Sequence, residues 1–166
     1  TGRDAETLIV RPRELQDNAV PSGNSLVCEL LLRLAALLGN DGYRKSGEAV
    51  MAESMGFAVR YPLAFGHLLA AAAFAAADPV EIAIAGAPGD PSTRSLMESA
   101  YSVVLPHRVM AVGYPAESNA SRLSPLLADR TLVGGKPTAY VCRRRVCLPP
   151  VTDAGELANV LAAGED

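Results

Sequence analysis

Cys142 and Cys147 are five positions apart and enclose Arg143, Arg144 and Arg145. A thiol beside guanidinium charge is drawn toward the thiolate, the form that attacks disulfides and binds soft metals. The two cysteines are therefore a candidate redox pair. Zinc is the other chemistry open to them, but a structural zinc needs four ligands. Cys28, His67 and His107 form no recognisable second half, so no metal centre is expected. The plain alternative is two small residues at a strand end with a solvated arginine turn between them.

A second candidate is the loop Gly86-Ala87-Pro88-Gly89-Asp90-Pro91-Ser92-Thr93-Arg94. Loops between a strand and a helix can bind anions through free N–H groups and the helix dipole. Asp90 stands where it would cap the helix and repel a phosphate, and neither a Gly-x-Gly-x-x-Gly run nor a P-loop lysine is present. No cofactor site is expected. His67, in an Ala-rich stretch, reads as a structural histidine. His107, after Pro106, reads as a surface turn residue.

The third feature is the polar elbow Asp17-Asn18-Ala19-Val20-Pro21-Ser22-Gly23-Asn24-Ser25. Pro21 stiffens the approach, Gly23 turns the chain, and Ser22 or Asn24 can accept a backbone N–H at a helix start. The elbow leads into a helix from about Asn24 to Leu38. Leu26, Leu30, Leu34 and Leu37/Leu38 form one stripe, widened by Val27, Leu31 and Ala35. A helix so apolar on most sides is expected to be buried against more than one neighbour.

The remaining elements follow from periodicity and punctuation. Gly39-Asn40-Asp41-Gly42 stops the first helix and starts a second, to about Val59, with Tyr43, Gly47, Val50/Met51, Ser54 and Phe57/Ala58 as its packed side. Pro62 opens a third helix. From Asp78 the rhythm changes. Val80–Ala85 reads as a buried strand, Ser92–Leu105 as a helix and Arg108–Gly113 as a strand. A short helix is expected near Ser121–Ala128. Thr131–Val133, Gly134-Gly135 and Thr138–Cys142 read as a hairpin. A capping box of Asp153 and Glu156 begins a last helix, to about Ala162. The expected fold is α plus α/β: a helical segment over 1–78, then a small α/β domain of order βαβαββα over 79–166.

Composition bounds the function. The chain of 166 residues is 49% apolar and carries a net charge of −3. Neither half is basic, so nucleic acid is not an expected partner. No apolar run is long enough for a membrane span. An odd count of three cysteines argues for a reducing compartment, hence the cytoplasm. Arginine far outnumbers lysine, which together with the Ala and Gly content suggests a high-GC bacterial genome. The absence of both an initiating Met and a signal-peptide pattern fits a piece of a longer protein.

Two segments carry a resemblance. One is the elbow with its Leu-rich helix and the Gly-Asn-Asp-Gly-Tyr turn. The other is Lys136-Pro137-Thr138-Ala139-Tyr140-Val141-Cys142 with Cys147, Pro150 and Val151-Thr152-Asp153. Together they resemble the C-terminal end of the thioredoxin-domain-containing family that includes the spermatogenesis-associated members. Members of that family join a thioredoxin-like domain to an (α/α) toroid similar to six-hairpin glycosidases and N-acylglucosamine 2-epimerases. The resemblance implies that residues 1–78 are terminal toroid helices. It places Asp17, Asn18, Ser22 and Asn24 near a central cavity, where short polar side chains could meet sugar hydroxyls. The thioredoxin-like domain and its Cys-x-x-Cys lie outside this sequence.

Three functions are therefore expected to compete. The first is a structural and docking module, not catalytic alone, that forms a homo-oligomer through its apolar helices or packs on the missing N-terminal domains. The second is a contribution to a carbohydrate-active enzyme through the elbow. The third is a thiol redox role through Cys142 and Cys147.

Overall fold

The computed structural model describes residues 14–114, 124–144 and 146–163. Its first half is helical: α1 (Gly23–Leu38), α2 (Asp41–Arg60) and α3 (Gly66–Ala76). Its second half holds β1 (Val80–Ala85), α4 (Pro91–Ser102), β2 (Arg108–Gly113), β3 (Thr138–Arg143), β4 (Val146–Cys147) and α5 (Ala154–Ala162). The α plus α/β class expected from the sequence is what the chain forms.

Local chemistry sets most of the helix starts. Ser22 caps α1 by accepting from Ser25 N, Asn40 caps α2, Asp90 caps α4 and Asp153 caps α5. Each satisfies a backbone N–H that the first helical turn leaves unpaired. The third helix departs from expectation. Pro62 opens only a 3-10 turn, Pro62–Ala64, and α3 begins after a break at Phe65. Phe65 is fully buried, and turning it inward interrupts the helix. Helix α4 is also shorter than expected, since Val103 is already extended. The Arg108 guanidinium takes up the freed carbonyls of Ala100 and Val103.

The sheet order is β2-β1-β3-β4, with β1 parallel to β2 and antiparallel to β3. The expected hairpin differs in its partners. Gly134 and Gly135 do turn, both at positive φ, but they close only an isolated bridge between Val133 and Lys136. The paired hairpin is β3 with β4, joined through the arginine turn. In place of the short helix near Ser121–Ala128 there is a 3-10 turn at Pro125–Leu127; residues 121–123 lie outside the described residues.

The pleat divides the interior. Val80, Ile82 and Ile84 of β1 and Ala139 and Val141 of β3 pack with Leu96 and Ala100 of α4 and Leu157 and Leu161 of α5. On the helical side, Cys28, Leu32, Ala58, Phe65, Leu68 and Phe74 pack together with Val109 of β2. Alternate residues of a strand face opposite sides, so the sheet serves both clusters. Polar ties join the halves among the described residues: Arg33 Nη1 donates to Arg108 O at 3.1 Å and Ser124 Oγ to Leu37 O at 3.0 Å.

The buried row of α1 is not the leucine stripe. Ser25, Cys28, Leu32, Ala35 and Ala36 face inward, while Leu26, Val27 and Leu30 are about half exposed. The reason is close packing against α2. A Cβ on Gly47 would lie 3.1 Å from Leu32 Cγ, so the missing side chain at position 47 lets Leu32 pack directly on α2. On α2, Gly47, Ser54 and Ala58 are buried as expected, but Phe57 turns outward.

Candidate functional site

The elbow is a knot of internal hydrogen bonds. Asp17 Oδ1 accepts from Ser22 N at 2.8 Å, and Oδ2 accepts from His67 N at 2.8 Å and Leu68 N at 3.1 Å. Those last two N–H groups belong to the first turn of α3, whose own cap residue, Phe65, offers no side-chain acceptor. Asp17 thus caps a helix about fifty residues away while bracing the entry to α1. Burial alone would raise its carboxyl. Hydrogen bonds from Ser22 N, the Ser25 side chain, Leu68 N and His67 N outweigh that and hold it below the ordinary carboxylate value. Ser22 is buried, with its Oγ 2.9 Å from Ser25 Oγ. Asn18 is exposed and donates from Nδ2 to Glu14 Oε1 at 2.7 Å. Asn24 sits half-buried in the first turn of α1. Of the four candidate sugar contacts, Asp17, Asn18 and Ser22 are thus engaged with their own chain, Asn18 at the surface.

His67 has a partner that the linear sequence hides. Its Nε2 lies 2.7 Å from Glu29 Oε2, a close polar contact without the alignment of a hydrogen bond. Glu29 Oε1 accepts from Arg33 Nε at 2.7 Å, and the Arg33 guanidinium lies 4.8 Å from the Phe74 ring centre. Burial pushes the Glu29 carboxyl up, but the Arg33 hydrogen bond, the Arg33 charge and His67 bring it below its ordinary value. His107 is not the surface residue expected. It is half-buried, its ring centre 6.4 Å from that of Phe74. Apolar packing at the start of β2 explains the difference.

The loop after β1 is closed to anions by its own cap. Asp90 Oδ1 accepts from Ser92 N at 2.7 Å and from Thr93 N at 3.3 Å, so those donors are taken.

The cysteine hairpin is the most chemically distinctive feature. Cys142 and Cys147 are register partners of β3 and β4 and are joined by a disulfide. One row of residues crosses the sheet as Val109, Glu81, Cys142 and Cys147. Directly opposed residues share a face, so Glu81 is the neighbour of Cys142. Cys142 is buried and Cys147 exposed. The three arginines of the turn have separate fates. Arg143 Nη2 donates to Leu161 O at 2.8 Å, at the end of α5. Arg144, at φ 51°, forms an exposed pair with Asp78 at 3.3 Å. Arg145 lies outside the described residues. The cation at the sulfurs is instead Arg130. Its Nη2 is 3.5 Å from Cys142 Sγ and 3.3 Å from Cys147 Sγ. Its guanidinium lies 4.8 Å from the Tyr140 ring centre, and Tyr140 is held by its hydroxyl donating to Thr131 O at 2.8 Å. No local sequence signal marks Arg130.

An open cleft of about 590 Å³ lies between the α1–α2 turn and the ends of β1 and β3, lined among others by Asp41, Arg44, Asp78, Glu81 and Arg144. Two of these residues flank Cys142, Glu81 by register and Arg144 by chain, so the cleft opens beside the hairpin. The third cysteine, Cys28, is buried in the helical core, and its Sγ donates to Gly47 O at 3.4 Å. Burial, and secondarily the Glu29 charge, push its thiol up. Among the described residues no three His, Cys, Asp or Glu side chains group to hold a metal, and no helix is long and apolar enough to cross a membrane.

This chain is similar to spermatogenesis-associated protein 20. It is 30% identical to the Rattus norvegicus protein over 156 residues, which are 93% of this chain and 20% of the relative. The Homo sapiens protein gives the same figures, and the Mus musculus protein is 28% identical over the same span. The match falls in the C-terminal region of these relatives. The chain spans about a fifth of their length. They are mammalian and lend no support to the bacterial origin suggested by composition. No protein-family profile and no solved structure matches the chain.

Proposed function

We propose that this chain is a C-terminal structural and docking module of a longer protein, without catalysis of its own. The observation that carries this reading is the apolar surface of its helical half. Leu26, Val27 and Leu30 are exposed on α1, and Phe57, Val59, Tyr61 and Leu63 are exposed at the end of α2 and just beyond it. Both groups lie at the end of the α1–α2 hairpin away from its Gly39-Asn40 turn. Scattered exposed leucines need no explanation, but apolar residues gathered at one end of a helix pair mark an interaction surface.

In the longer protein this surface docks on the preceding helices, in keeping with the toroid that the family resemblance implies. In the isolated chain a second copy covers it. The cytoplasm is the proposed location, from the odd cysteine count. The carbohydrate reading is less favoured, because the Asp17 carboxylate is occupied by three backbone N–H groups. Sedimentation of the chain with and without charges introduced on α1 tests the docking proposal.

A further inference from the structure

Arg130 is poorly matched to what surrounds it. Its Nε is buried without a hydrogen-bond partner, and among the described residues the hydrogen-bond acceptors of its guanidinium are the two disulfide sulfurs. A disulfide sulfur is a weak acceptor, whereas a guanidinium carries five strong donors and a full charge. Leaving such donors underused in a half-buried place costs free energy. The group that would satisfy them is an anion at the sulfur position, and reduction of this disulfide makes one.

The two sulfurs differ in access. Cys147 lies on the exposed two-residue edge strand β4, while Cys142 is buried in β3. A nucleophile arriving from solvent therefore meets Cys147 first. We propose that the β3–β4 hairpin is a thiol–disulfide exchange site for a dithiol reductant, with Cys147 the attacked sulfur and Cys142 the leaving thiolate, held by Arg130. A thiolate of the dithiol attacks Cys147 Sγ. The Cys142–Cys147 bond breaks, its electron pair leaves on Cys142 Sγ, and a mixed disulfide joins Cys147 to the reductant. The second thiol of the reductant, as a thiolate, then attacks its own sulfur in that bond. Cys147 leaves as a thiolate and the reductant departs as a disulfide. Two electrons pass from dithiol to protein, and the two protons of the dithiol end on the protein thiols or in solvent. In a reducing compartment such a disulfide is a transient, working bond rather than a permanent staple.

The test uses the oxidised 166-residue chain and two probes. Brief exposure to reduced glutathione, acid quenching and peptide mass mapping locate the first mixed disulfide. Glutathione on Cys147 is expected, and glutathione on Cys142, or equally on both, overturns the assignment. This arm needs no variant. In the second arm the reduction rate by dithiothreitol is followed by alkylation and mass. Arg130→Met is expected to be reduced about tenfold more slowly, because a less stabilised thiolate is a poorer leaving group, with Arg130→Lys in between. Equal rates in all three proteins would show that Arg130 does not hold the leaving thiolate and would overturn the proposal.

Discussion

Asp17 caps the helix that carries His67. Its carboxylate accepts the His67 backbone N–H at 2.8 Å from fifty positions earlier in the chain and, through its other oxygen, anchors Ser22 at the start of α1. One side chain therefore fixes the relative placement of two helix N-termini. Because Phe65 provides no cap of its own, α3 depends on this contact. Asp17→Ala should destabilise the chain by about 2 kcal/mol, the loss of a cap plus backbone donors left without a partner. Asp17→Asn should cost less, since an amide oxygen still accepts. Chemical denaturation of the three proteins measures this, and an unchanged midpoint for Asp17→Ala would contradict it.

Acid should act through the same residue. The folded Asp17 carboxyl lies below its ordinary value, and so does that of Glu29. A group depressed in the folded state gives stability that is fully present above its unfolded value, about 3.9 for Asp and 4.3 for Glu. That stability is lost as pH falls through the folded values. The chain should therefore hold its stability from neutral pH down to about 5 and lose it steeply below about 4. The Asp17→Asn, Glu29→Gln double variant should show a flatter acid limb. Melting temperatures across this range are the check, and an identical acid slope in the double variant would refute the assignment.

Cys28 should be chemically silent. Its thiol is fully buried, pushed up in pKa and bonded to Gly47 O. In the native chain iodoacetamide should label it only as fast as the helical half opens, because the thiolate is the reactive form and the folded core withholds it. Denaturant at the unfolding midpoint should accelerate labelling sharply. Rapid labelling without denaturant would mean that the α1–α2 contact is looser than described.

What could be read in the sequence was local. The starts of α1, α2, α4 and α5 were legible because each cap lies within a few residues of the N–H it serves, as Asp153 does for Glu156. The elbow's turn and the strands β1 and β2 were legible for the same reason. The inward face of α1 was not. A helix apolar on most sides gives periodicity no contrast, and the inward row is the one whose Cys28 and Leu32 meet Gly47 on α2. Gly134-Gly135 announced a turn correctly, but a turn does not choose strand partners, and β3 pairs with β4 instead. At the candidate sites the cysteines were visible by spacing. Arg130, the cation that reaches them, and Asp17 as the cap of α3 were not, because both contacts are made by folding.

The apolar end of the helical hairpin is proposed as a docking surface, and sedimentation velocity at micromolar concentration reads whether a second copy covers it. The 166-residue chain is expected to sediment as a dimer and the Leu26→Glu, Leu30→Glu variant as a monomer. Both positions are about half exposed, so the substitutions should leave the fold intact, as far-ultraviolet circular dichroism would confirm. A wild-type chain that sediments as a monomer at micromolar concentration would rule out a second copy as the occupant of this surface.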